Sequence, residues 1–90
     1  MTLTFIYMDG CPACDAAKPL LKKWAKANRN VRVKWHNALT DKWDAQWQIA
    51  ATPTYVLAIP GQRETMYEGA LSEADITRFI ETSKQTLGVR

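Results

Sequence analysis

Cys11 and Cys14 are the only cysteines among 90 residues, and they stand as Cys11-Pro12-Ala13-Cys14 between an apolar run, Leu3 to Met8, and a stretch with helical periodicity. Two thiols separated by two residues at a helix start can close a small disulfide. The helix's N-terminal amides stabilise a thiolate on the first sulfur. The spacing therefore points to reversible dithiol chemistry. Pro12 fits the first helical turn, where its missing N–H costs nothing, and this puts Cys11 at the cap. Cys11 is then the expected exposed sulfur, and Cys14 is expected to point into the first turn.

Other uses of the pair explain less. A structural zinc site takes four ligands, and the chain offers one cysteine pair and one distant histidine, His36, so no metal is expected. A structural staple across so short a loop restricts little chain entropy. Two inert buried cysteines remain a third reading, against which the placement of Pro12 speaks. His36 shares an alternating face with Arg32 and Lys34, without a carboxylate partner in the pattern, and reads as a strand-end histidine before a catalytic base.

The elements that must position the sulfurs follow from periodicity. Thr2 to Met8 reads as a central strand covered on both faces, and Ala13 to Asn28 as a helix. Val31, Val33 and Trp35 alternate with Arg32, Lys34 and His36, the pattern of a half-exposed strand. Thr40 can cap a short helix through about Ile49 carrying Trp43 and Trp47 on one side. Thr54 to Ile59 is a second apolar strand. Pro60-Gly61 is a turn signal, and Gln62 to Glu68 is an antiparallel strand near a sheet edge. The last helix starts at Ser72, with Asp75 three residues on in a capping-box pattern, and buries Ile76, Phe79 and Ile80; its tail, Lys84 to Arg90, is expected to fray.

The chain is one domain, residues 1–90, with room for a single core. A hydrophobic fraction of 47% and a charged fraction of 23% fit a soluble globular protein. No apolar run approaches membrane-spanning length, and Met1-Thr2-Leu3-Thr4 lacks the marks of a secretory signal, so a cytoplasmic monomer without membrane contact is expected. In that compartment a lone close thiol pair reads as catalytic. The net charge of +3 invites a nucleic-acid reading. However, Lys18, Lys22 and Lys26 recur opposite Ala17, Leu20, Leu21 and Trp24, as the solvated face of an amphipathic helix does. No aromatic residues interleave with the stripe, so nucleic acid is not expected, and an acidic protein partner would gain more from the charge.

The order strand, helix, strand, helix, strand, strand, helix (βαβαββα), with the cysteine pair after the first strand, resembles the thioredoxin and glutaredoxin superfamily across nearly the whole chain. Thr52-Pro53-Thr54 before an apolar strand looks like the family's cis-proline segment, and Pro19 like its helix-kinking proline. Gly69-Ala70-Leu71-Ser72 resembles the thioredoxin run into the last helix. The resemblance implies an α/β thioredoxin-like fold, a central four-stranded mixed sheet flanked by three helices. It implies a thiol–disulfide oxidoreductase of electron transport and cell redox homeostasis, working through Cys11 and Cys14 with no cofactor beyond the redox disulfide. Pro12, Ala13, Thr52, Pro53 and Gly69 would border the substrate, Thr52-Pro53 being the backbone edge an extended peptide pairs with. Disulfide-containing proteins would be substrates, and a thioredoxin reductase or glutathione the electron donor.

The chain departs from both subfamilies. Its length matches glutaredoxins, which usually carry an aromatic residue at the position of Ala13 and paired glycines before the last helix, where only Gly69 stands here. Thioredoxins usually carry a tryptophan just before the first cysteine and a buried aspartate six residues before it, where this chain has Gly10 and Phe5. Lys34, His36 or water then remains for the Cys14 proton, and Asp9 would oppose a Cys11 thiolate by like-charge repulsion if near. Two further uses of such a fold stay open: a binding or accessory module that needs neither cysteine, and an iron–sulfur or metal carrier with Cys11 as ligand.

Overall fold

The computed structural model describes residues 1–41 and 49–89. Four strands, β1 (Thr2–Tyr7), β2 (Arg32–Asn37), β3 (Thr54–Ala58) and β4 (Thr65–Glu68), form one sheet in the order β2-β1-β3-β4. β1 pairs in parallel with β2 and antiparallel with β3, and β3 antiparallel with β4, so the sheet is mixed. Two helices are described, α1 (Pro12–Ala27) and α2 (Glu73–Leu87). The helix expected between Thr40 and Ile49, with Trp43 and Trp47, falls mostly on residues 42–48, outside the described ones.

The apolar run of β1 sits in the sheet's interior, with Leu3, Phe5 and Ile6 fully buried, because both its neighbours are strands. Leu3 and Phe5 on β1 and Tyr55 and Leu57 on β3 share one face. α1 and α2 close over it with Ala17, Leu21, Trp24, Ile76 and Ile80 in a single core. Trp24 Nε1 donates to Thr77 Oγ1 at 3.0 Å and pins the helices to each other far from the cysteines. The β3–β4 turn follows its sequence signal: Gln62 N bonds Ile59 O at 3.0 Å around Pro60 and Gly61, the glycine taking φ 79°.

Three expectations need correcting. Leu20 is exposed, outside the stripe assigned to it. Lys18 is not purely solvated: its Nζ lies 4.2 Å from the centroid of the Tyr7 ring and 3.8 Å from Asp15 Oδ1, because Tyr7 ends β1 directly beneath that turn of α1. The C-terminal tail does not fray at Lys84. α2 runs to Leu87 and closes with Gly88 N on Gln85 O and Val89 N on Lys84 O, with Gly88 at φ 71°. That paired closure needs the left-handed conformation a glycine adopts freely.

Candidate active site

Cys11 is the N-cap of α1, extended at φ −99° and ψ 106°, and its Sγ accepts the Cys14 amide at 3.1 Å. Pro12 occupies the first helical position, and Asp15 N bonds Cys11 O at 3.0 Å, so the helix starts at the sulfur. Cys11 and Cys14 form a disulfide with their Cα atoms 5.2 Å apart. Cys11 is half-buried and Cys14 fully buried, between exposed Pro12 and Ala13 on the outer side and the core on the inner. An incoming disulfide therefore meets Cys11 first.

Across from the pair, the Thr52–Pro53 peptide is cis. Thr52 Oγ1 donates to Cys11 Sγ at 3.6 Å, and Thr52 O stands 3.7 Å from the same sulfur. In the disulfide that carbonyl is a contact only, since the sulfur carries no proton; after reduction a Cys11 thiol can donate to it. Gly69 N donates to Pro53 O at 2.8 Å, which brings Gly69, at φ 111°, beside the proline. Next to Thr52 a recess of about 110 Å³ opens, lined by Met8, Ala38, Ile49, Ala50 and Ala51. The fold thus assembles Cys11, Cys14, Thr52, Pro53 and Gly69 from three separate stretches.

Of the suggested modulators, Lys34 and His36 lie away from the sulfurs. Lys34 and His36 pair with Thr4 and Ile6 of β1 and share the sheet face opposite Phe5 and Trp35. α1 covers the Phe5 face, so the sheet separates both residues from Cys14, and neither is positioned to take its proton. Asp9 accepts Asn37 Nδ2 at 3.3 Å, which ties the loop before Cys11 to the end of β2. Phe5, where the resemblance would put an acid, is fully buried among aromatic rings, edge-on to Trp35 at 5.4 Å and to Tyr55 at 5.2 Å.

Sequence reasoning missed two contributors. Asn37 carries no assignment from the sequence pattern, yet its Nδ2 holds Asp9 and its Oδ1 accepts Leu39 N at 3.0 Å. Tyr55 was read as one more strand former. It is fully buried, and its hydroxyl accepts the Leu71 amide at 3.2 Å. Its signal was available, because a buried tyrosine hydroxyl needs a partner. Burial pushes the Tyr55 hydroxyl above the ordinary phenol value, with the Leu71 bond working the other way in smaller measure and Tyr67 adding slightly.

Comparisons with known proteins agree with this geometry. No curated protein matches the chain in sequence. Among solved structures, chloroplastic thioredoxin z superposes with a TM-score of 0.78 at 19% identity, covering 90% of this chain and 75% of that one. Mitochondrial thioredoxin 3 from Saccharomyces cerevisiae, in its oxidised form, gives 0.73 at 22% identity, covering 90% and 76%. Fasciola hepatica thioredoxin gives 0.79 at 20%, covering 90% and 78%. At such identities the likeness establishes the fold. The profile of the thioredoxin family matches residues 2–82, nearly the whole chain with its helix-capping disulfide, and the protein is a member of the thioredoxin family.

Proposed function

We propose that this protein is a protein-disulfide reductase that alternates between the Cys11–Cys14 disulfide and the dithiol. The observation that carries the reading is the half-exposed Cys11 sulfur at the first turn of α1, in contact with the backbone edge at Thr52. In the reduced protein a Cys11 thiolate is stabilised by the Cys14 amide, the Thr52 hydroxyl and the N-terminal end of the helix. It attacks one sulfur of a substrate disulfide. The substrate S–S bond breaks, its second sulfur leaves as a thiolate that takes a proton from water, and Cys11 is joined to the first in a mixed disulfide.

Cys14 completes the cycle. Its thiol loses a proton to water, the acceptor that remains once Lys34 and His36 lie across the sheet and Phe5 fills the family's acid position. The Cys14 thiolate attacks Cys11 Sγ, the second substrate thiolate departs, and two electrons have moved from the protein to the substrate. An extended substrate chain pairs with the free edge at Thr52, and the apolar recess beside it receives a neighbouring side chain. A reductase flavoprotein or glutathione then returns the two electrons. Ala13 and the single Gly69 favour the flavoprotein, and the reducing compartment this cycle needs is the cytoplasm.

The test is reduction of insulin disulfides in the presence of a thiol donor or of NADPH with a flavoprotein reductase. Catalysed turnover that vanishes in Cys11→Ser supports the reading. Turnover that survives in that variant would refute it, and a wild type that reduces no insulin with either donor would favour a binding module that needs neither cysteine.

A further inference from the structure

Tyr55 occupies a fully buried position in the middle of β3, edge-on to Phe5 and paired across the ladder with Tyr67. A phenylalanine would fill this volume without a polar atom to satisfy. The hydroxyl is spent on one bond, accepting the amide of Leu71 at 3.2 Å, and Leu71 is itself buried. Two residues earlier, Gly69 N donates to Pro53 O at 2.8 Å. One short stretch, Pro53 to Tyr55, therefore grips the segment Gly69–Leu71 at two points, one at the rim of the site and one behind it. Ala70, between the two grips, is exposed. Immediately after it, Ser72 caps α2 by accepting Asp75 N at 3.2 Å, so the helix start inherits the position of the segment.

We propose that Tyr55 is a positioning residue for macromolecular substrates: its hydroxyl holds Gly69–Leu71 in register with Pro53 and so fixes the wall of the site that faces a bound peptide across Cys11. This rests on the reductase reading above. A small disulfide needs only the Cys11 sulfur, whereas a protein disulfide also has to lie against the backbone of Thr52, Pro53 and Gly69. Removing the hydroxyl leaves the sulfurs, the Thr52 contact and the Pro53–Gly69 bond in place. It leaves the Leu71 amide without its partner, and the segment moves to find water. The loss falls on substrate binding and not on the sulfur chemistry.

The experiment compares the wild type with Tyr55→Phe, using insulin as the protein disulfide and 5,5′-dithiobis(2-nitrobenzoate) as the small one. The expected result is a rise in KM for insulin of about threefold to tenfold, the factor that one hydrogen bond accounts for. Rates with the small disulfide and the redox equilibrium with glutathione should change less than twofold. Amide exchange at Leu71 should rise together with the KM. An unchanged insulin KM, or equal losses with both substrates, overturns the proposal. If the variant does not fold, exchange in the wild type decides: a Leu71 amide that exchanges as fast as that of exposed Ala70 is not held by Tyr55, and the proposal fails. Should the wild type reduce neither disulfide, the reductase reading is what has failed, and Leu71 exchange still judges the hydroxyl bond on its own.

Discussion

The two sulfurs differ in what can reach them, and the roles proposed for them rest on that difference. Cys14 is fully buried whereas Cys11 is half-exposed at the helix cap, so a substrate sulfur can approach only Cys11 in line. Cys14→Ser should accumulate a covalent mixed disulfide with insulin and lose turnover, whereas Cys11→Ser should do neither; non-reducing electrophoresis reads this directly, and trapping by Cys11→Ser would reverse the roles. Tyr55 supplies a second prediction at this scale. Its hydroxyl is raised above the tyrosine value of 10.0 by burial. As pH climbs past about 10 the unfolded chain gives up a proton that the folded chain keeps, so unfolding is favoured and stability falls, by up to about 1.4 kcal/mol per pH unit until the folded form also ionises. The sign is set by the raised folded value: the contribution is complete below the unfolded value and lost above it. Urea titrations of the oxidised protein, in which no thiol titrates, should show the wild type losing stability relative to Tyr55→Phe as pH rises past about 10. Parallel profiles would mean that the buried hydroxyl is not what titrates.

At the scale of elements, the start of α2 carries a direct test. Ser72 satisfies the Asp75 amide at the start of α2, and Ser72→Ala should cost about 1 kcal/mol in urea unfolding, within a range of about 0.5–2. An effect near zero would mean that the first turn is held by the Tyr55–Leu71 bond instead. The ends also show which parts of the fold were legible beforehand. β1, α1, β3 and the start of α2 could be read from local patterns, because an apolar run, a Cys-Pro cap and a Ser-x-x-Asp box each act within a few residues. The closure at Gly88 is equally local, but the expectation for Lys84 to Arg90 rests on the general mobility of chain termini and takes no account of that glycine. The site divides in the same way. Cys11 and Cys14 stand three positions apart and are legible as a pair, and Thr52, Pro53 and Gly69 are reached through resemblance. The Tyr55–Leu71 and Asp9–Asn37 bonds join residues 16 and 28 apart, and no periodicity reports such a contact. Lys34 and His36 were correctly placed on one strand face. That α1 packs on the opposite face is a property of the assembled sheet.

The proposed reductase cycle requires the molecule as a whole to remain folded with its disulfide open, since the dithiol is the form that attacks substrate. The core makes this feasible. Leu3, Phe5, Leu21, Tyr55, Leu57, Ile76 and Ile80 pack from four elements into one cluster, and the Trp24–Thr77 bond closes the helix pair at the end away from the cysteines. The crosslink spans a sequence separation of only 3, and its chain-entropy contribution is about 2 kcal/mol, against the roughly 5–15 kcal/mol that holds a domain together. For a chain of this size that corresponds to a fall in Tm of no more than about 15 °C on reduction. Far-UV circular dichroism should be unchanged, and the unfolding transition should stay cooperative. By contrast, Leu21→Ala, which opens a void in the core under α1, should cost about 2–5 kcal/mol in either redox state. If reduction alone abolished the cooperative transition while Leu21→Ala in the oxidised protein did not, the disulfide would be a staple holding α1 in place. A dithiol form able to attack a second substrate would then not exist. A folded dithiol with a modestly lower Tm places the stability in the core and leaves the two sulfurs free for exchange.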